Sequence, residues 1–239
     1  MSEVREEYTR ETYPSFGKKY NGEKAVISLT SWKARINTVS KTLFSLIQQC
    51  PGFHIVLVLS EEEFPKMCKE LPENLMLFVE NEMIELLWVY KNYKSFKKVL
   101  FTMDKYRDVP VISADDDCIY TCNYAQELYN KWLTNKSSCV SVFNSILFGK
   151  YQHHCGAATL YPPYSFREFK LDMLTDNILN TNEDDIFYTL FLYKYGRNKT
   201  MLLNKTVFFF YNEIQPLHNF YKNKSKEIFE TIKKELCIK

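Results

Sequence analysis

Residues 109–120 read "VPVISADDDCIY". A run of apolar, β-favouring residues ends in three consecutive carboxylates, Asp115, Asp116 and Asp117. Like unit charges ~4 Å apart repel by about 1 kcal/mol in water and by about 4 kcal/mol at an effective dielectric of 20. Three acids closing an apolar strand therefore need either full solvation in a turn or a cation. Along a strand, residues i and i+2 share a face. Continuing the strand through the acids puts Asp115 and Asp117 on one side and Asp116 on the other. Such a pair of hard oxygen donors suits Mg²⁺ or Mn²⁺. A divalent ion there can hold a diphosphate and stabilise it as a leaving group. On spacing alone, a polar turn after a strand is the plainer alternative.

Upstream, "AVISLT" (25–30), "HIVLVLS" (54–60) and "IELLWVY" (84–90) are apolar runs of strand length. Between the first two, Val39, Leu43, Leu46 and Ile47 recur at helical spacing, and Pro51-Gly52 ends the pattern. Residues 61–81 read as helical pieces broken near Pro72, and residues 95–106 as an amphipathic helix. With residues 109–113 as a fourth strand, the order is β-α-β-α-β-α-β. That order predicts a parallel sheet with helices on both faces. Ligands of such sheets bind beyond the carboxyl ends of the strands, where the three acids lie. Downstream the pattern predicts helices at 124–133, 183–196 and 224–236. It predicts strands at 139–148, at "TMLL" from Thr200 and at 206–211. Residues 1–23 read as a polar lead-in arm, 24–221 as one α/β domain, and 222–239 as a C-terminal helix packed on it or peripheral.

The composition narrows the function classes. Lys and Arg number 31 against 29 Asp and Glu, without the basic excess of a dedicated nucleic-acid binder. Six glycines and no GxGxxG or GxxxxGK[ST] leave no glycine-rich phosphate loop. Seven irregularly spaced cysteines without a CxxC pair point to reduced thiols and a cytoplasmic setting. The N-terminal stretch lacks the apolar core of a signal peptide, and no apolar run reaches the ~18 residues of a membrane span. The lysine-rich terminal helix, with Ile228, Phe229 and Ile232, suits peripheral contact with the inner face of a membrane. A plain packed helix is the alternative.

Six segments, in order, resemble bacterial sugar-nucleotide-dependent glycosyltransferases of the GT-A fold, the type found in surface-polysaccharide biosynthesis. They are "VISLTSWKARINTVSKTLFSLIQQ", "IVLVLSEEEFP" with "LPENL", "WVYKNYKSFKKVL", "VISADDDCIY", "GAATLYPP" and "NEDDIFYTLFLYKYG". They span about residues 24–196. The resemblance implies a Rossmann-like mixed sheet flanked by helices. It implies a metal-dependent transfer of sugar from a nucleotide diphosphate-sugar to a hydroxyl of a glycan or glycolipid acceptor, with Mn²⁺ or Mg²⁺ as cofactor.

The resemblance also implies roles. Leu29, Thr30, Ser31, Trp32 and Arg35 would hold the nucleotide. Trp32 either stacks on the base or covers the core, and Arg35 either reaches a phosphate or is solvated. Lys94, Lys97 and Lys98 would face the sugar nucleotide at a helix start capped by Ser95, a good anion site. A solvated basic face, for at least one of the adjacent lysines, is the alternative. Asp115 would contact the ribose or a metal-bound water, Asp117 would ligate the metal directly, and Asp116 would be oriented by its surroundings. In "NEDDI" (182–186), Asp184 or Asp185 would be the general base on the acceptor hydroxyl. Thr181 and Asp184 also have capping-box spacing. Gly156 and Tyr161 would shape the acceptor side, the Tyr161 ring stacking on a sugar. His218 would complete the metal site. The adjacent His153 and His154 face opposite ways in an extended segment and cannot share one metal.

The sequence departs from the family where "SILFGKYQHHCGAA" replaces the basic motif expected before the glycine turn, and beyond residue 205. Two other readings compete. In one, Asp115 is the nucleophile of a haloacid-dehalogenase-type phosphohydrolase, though that motif normally follows a first strand and here several strands precede it. In the other, the chain binds sugar nucleotide without turnover.

Overall fold

The computed structural model describes residues 13–142, 145–147, 151–153, 156–210 and 225–238. In chain order the strands are β1 (Ser15–Gly17), β2 (Ala25–Thr30), β3 (Phe53–Ser60), β4 (Glu85–Val89), β5 (Val111–Ser113), β6 (Cys118–Tyr120), β7 (Cys139–Ser141), β8 (Ser145–Leu147), β9 (Tyr151–His153), β10 (Thr159–Tyr161), β11 (Thr200–Leu202) and β12 (Phe208–Phe210). The helices are α1 (Val39–Ile47), α2 (Glu73–Glu80), α3 (Lys97–Lys105), α4 (Tyr124–Leu133), α5 (Asp176–Leu179), α6 (Asp184–Lys194) and α7 (Ser225–Glu235).

The main sheet has the order β1-β4-β3-β2-β5-β10-β7-β11. Its centre, β4-β3-β2-β5, is parallel, as the alternating upstream pattern predicts. Both faces of these strands are covered, so they read as continuous apolar runs rather than alternating ones. In β2, Ala25, Ile27 and Leu29 face a core shared with α1 and α4, while Val26 faces the core under α3 and α6. The downstream half is mixed because β10 inserts antiparallel between β5 and β7. Two small ribbons, β6 with β12 and β8 with β9, flank the sheet.

Several expectations change. Part of the supposed lead-in arm is β1, the antiparallel edge strand of the sheet. Gly17 closes that strand at φ +86°, and a side chain there would run into the Ile84 carbonyl. The predicted strand 139–148 is two strands in different sheets, β7 and β8. The "LYPP" segment begins in β10, a strand in the sheet interior. In α7, Ile228, Phe229 and Ile232 are buried against the core that holds α6, with Phe229 against the Tyr151 ring. The apolar side chains proposed for a membrane surface are therefore already covered by protein. Among the described residues no helix is long and apolar enough to cross a membrane.

Candidate active site

β5 ends at Ser113, so the three acids lie in the turn between β5 and β6 and not on the strand itself. Strand alternation therefore does not govern them, and the expected two-sided division is redrawn. Arg35 Nη1 lies 2.7 Å from Asp116 Oδ1 and 2.9 Å from Asp117 Oδ2, so these neighbours share one guanidinium. The Ser31 hydroxyl donates to the other oxygen of Asp116 at 2.6 Å. Asp115 turns to Lys98, whose Nζ is 2.8 Å from Oδ1. The turn backbone is fastened as well: the Asp115 N–H donates to the Tyr120 hydroxyl, which donates to the Ala157 carbonyl, each at 2.8 Å.

The turn faces the acidic start of α6. Asp184 Oδ2 lies 3.1 Å from Lys98 Nζ, so one ammonium spans both acid groups. Asp185 sits beside Gly156, where an added Cβ would come within 2.5 Å of its Oδ1. A side chain at position 156 would therefore have to displace the Asp185 carboxyl. The Asp185 Oδ1 atom is buried and has no hydrogen-bond partner among the described residues. The capping-box reading does not hold: the Thr181 hydroxyl donates to the Ile178 carbonyl and accepts from the Glu183 N–H.

Burial and mutual repulsion tune these groups. Burial, with the charges of Asp115 and Asp116, pushes Asp117 up to about 6 despite Arg35. Burial raises Asp116 too, opposed by Arg35 and Ser31. Burial and Asp184 push Glu183 up to about 7, and burial with Asp184 holds Asp185 well above the carboxylate range. Burial opposes the Lys98 charge, but Asp115, Asp184 and Asp185 outweigh it and raise this ammonium well above its ordinary value.

The remaining expected residues divide. The Thr30 hydroxyl donates to the Val58 carbonyl, a sheet contact. Trp32, by contrast, is an exposed ring beside Ser31. Neither of the adjacent lysines is solvated: Lys97 and Lys98 are 1% and 4% exposed. Lys97 pairs with Glu63 and Asn92, and Lys94 donates to the Leu179 carbonyl. These two fasten loops to each other. Ser95 does not cap α3, because residues 94–96 form a 3₁₀ turn and Phe96 is the N-cap. Tyr161 is fully buried in β10 against Phe166 and Tyr188, so its ring is core and not a sugar platform. His218 and His154 lie outside the described residues, as does the side chain of His153. Sequence reasoning missed Tyr120, since nothing in "CIY" announces that its hydroxyl ties the acidic turn to residue 157.

Among the described residues no three His, Cys, Asp or Glu side chains form a ready metal cage. A Mg²⁺-type ion needs less, because it takes one or two carboxylates and completes its shell with water and phosphate oxygens. The donor set fits such an ion. Asp115 and Asp117 are hard oxygen donors two residues apart on one turn, and burial first, then the Asp115 charge, raises the Asp117 carboxyl despite Arg35.

No protein-family model and no curated protein matches the sequence. Solved structures do. The crystal structure of S. aureus TarS superposes with a TM-score of 0.55 at 12% identity over 89% of this chain and 39% of TarS. The TarS 1–349 structure gives the same score and identity, with 65% of that chain covered. The glycosyltransferase GlyE of Streptococcus pneumoniae TIGR4 gives 0.45 at 14% identity over 77% of this chain and 46% of GlyE. The chain thus spans about two-fifths of TarS and two-thirds of its 1–349 portion. Its mostly parallel central sheet flanked by helices is the fold of GT-A-type glycosyltransferases.

Proposed function

We propose that the chain is a metal-dependent glycosyltransferase that moves a sugar from a nucleotide diphosphate-sugar to a hydroxyl of a glycan or glycolipid. The observation that carries this reading is the placement of two acid groups, Asp115–Asp117 and Asp184–Asp185, around one buried ammonium at the carboxyl end of a GT-A sheet. Asp115 and Asp117 would hold Mn²⁺ or Mg²⁺, and Arg35 and Ser31 fix the backing carboxylate of Asp116. When bound, the ion would neutralise the donor diphosphate and stabilise it as a leaving group. The exposed Trp32 ring beside Ser31 is available to the nucleoside.

On the acceptor side a general base must be ionised and within hydrogen-bond reach of the hydroxyl. Asp184 takes that role in this reading, because its carboxylate faces Lys98. Burial and the Asp184 charge raise the Asp185 carboxyl well above its ordinary value and disfavour its ionised form. Asp185 instead packs on Gly156 and shapes the acceptor wall.

The test is hydrolysis of a panel of sugar nucleotides, and transfer to simple glycan acceptors, with Mn²⁺ and with chelator. Metal-dependent turnover that disappears in Asp117→Ala is expected. Turnover undiminished in that variant would refute the assignment. Donor binding without turnover over a broad acceptor panel would favour a binding module. An acyl-phosphate trapped on Asp115 would favour the phosphohydrolase.

A further inference from the structure

Lys98 touches both halves of the site, with Asp115 Oδ1 at 2.8 Å and Asp184 Oδ2 at 3.1 Å. Its backbone is pinned, because α3 packs under β2 and β5 and the Ser28 hydroxyl donates to the Lys98 carbonyl. On the α6 side the carboxylates are incompletely satisfied: Asp184 Oδ2 has no aligned hydrogen bond and Asp185 Oδ1 has no partner among the described residues. That side is a ready second berth for the ammonium. On the other side, Asp115 is also a proposed ligand of the divalent ion, and two cations cannot occupy one carboxylate without repulsion.

We propose that Lys98 is an internal counter-cation that a divalent ion displaces from Asp115 and that then settles on Asp184 and Asp185. Filling the donor half thereby changes the charge that the acceptor-side acids face. The inference rests on the metal-dependent reading above. Lys98 is then a positioning residue, and not the sugar-nucleotide ligand that the family resemblance implies. Coupling of this kind is reciprocal: if the ion moves Lys98 towards Asp184, altering Asp184 alters affinity for the ion.

The experiment is calorimetric titration of the full chain with Mn²⁺ alone, without sugar nucleotide. It compares wild type, Lys98→Met, Asp184→Asn and the double variant, each checked for native circular dichroism. Lys98→Met should bind Mn²⁺ more tightly, on the order of tenfold, because the competing cation is gone. Asp184→Asn should bind it more weakly, because the ammonium then rests on Asp115. That weakening should vanish in the Lys98→Met background. Unchanged or weaker binding by Lys98→Met overturns the proposal. So does an Asp184→Asn effect that persists without the lysine, which is simple loss of a nearby negative charge. If the methionine variant does not fold, Lys98→Gln carries the same test. Mn²⁺ binding by no variant, wild type included, defeats the metal reading itself and the displacement with it. Binding by wild type with an unaltered Lys98→Met defeats the displacement alone.

Discussion

The two ends of the parallel sheet hold buried acids in opposite states. At the amino end, Glu85 at the start of β4 meets His54 Nε2 at 2.7 Å, the Lys105 ammonium and the Tyr106 hydroxyl. Burial alone would raise its carboxyl, but these hydrogen bonds and the lysine charge bring it down to about 2. At the carboxyl end the same helix, α3, offers Lys98 in place of Lys105. There Asp117 and Glu183 stand at about 6 and about 7, and Asp185 is held well above its ordinary value. Asp117 is nearly as buried as Glu85, at 8% and 2% exposure, and the supply of donors differs. A carboxylate that has its donors stabilises the fold. Acids left short of donors are candidate places for a bound cation or a working proton.

The contrast breaks most visibly by removing Glu85. Glu85→Ala leaves the buried His54 without that carboxylate and frees the half-buried Lys105, and should cost about 3–5 kcal/mol in urea unfolding. Metal-dependent turnover by the folded fraction should persist. Asp117→Ala should do the reverse. Turnover should fall by about a hundredfold or more, while stability at pH 7 holds or rises because a repelled charge is gone. A variant that lost both equally would erase the distinction between the two ends.

A smaller effect is expected at Gly156→Ala, whose methyl would press on the Asp185 carboxyl. Overpacking of this kind costs about 1–3 kcal/mol. Adding Asp185→Ala should recover most of it, and a purely additive double variant would deny the contact.

The smallest signals lie in the pH dependence of metal-free stability, and their signs are opposite. For Asp117 and Glu183 the folded values are raised, so the ionised native form is the strained one. Their cost is absent below the ordinary values of 3.8 and 4.5, and grows as pH rises to about 6 and about 7. For Glu85 the folded value is depressed. Its contribution is complete above 4.5 and is lost as pH falls towards about 2. Asp117→Asn with Glu183→Gln should flatten the upper window, and Glu85→Gln the lower one, in unfolding midpoints measured across pH.

The sequence made the amino half of the sheet and its helices readable, because β2 to β4 are buried on both faces and helix-period runs separate them. It also located the acidic turn and the acidic start of α6. It misread details that depend on contacts distant in the chain. β1 lies in a polar stretch whose strand character comes from pairing with β4. Tyr161 looks like a surface aromatic beside prolines until β10 inserts between β5 and β7. Lys97 and Lys98 are neighbours in sequence but point to different partners, Glu63 and Asp115, because adjacent helical residues diverge around the axis. The pairing of Asp116 with Asp117 on Arg35 was hidden because the strand stops two residues before the acids begin.

The central claim is that the acidic turn at the end of β5 binds a divalent ion together with a nucleotide diphosphate-sugar. Thermal unfolding of wild type and Asp117→Ala with a panel of sugar nucleotides, with and without Mn²⁺, measures it directly. A donor at about 100 times its dissociation constant should stabilise wild type by about 2.7 kcal/mol. That shift should require Mn²⁺ and be absent in Asp117→Ala. No metal-dependent shift with any donor, or an equal shift in Asp117→Ala, would contradict the account.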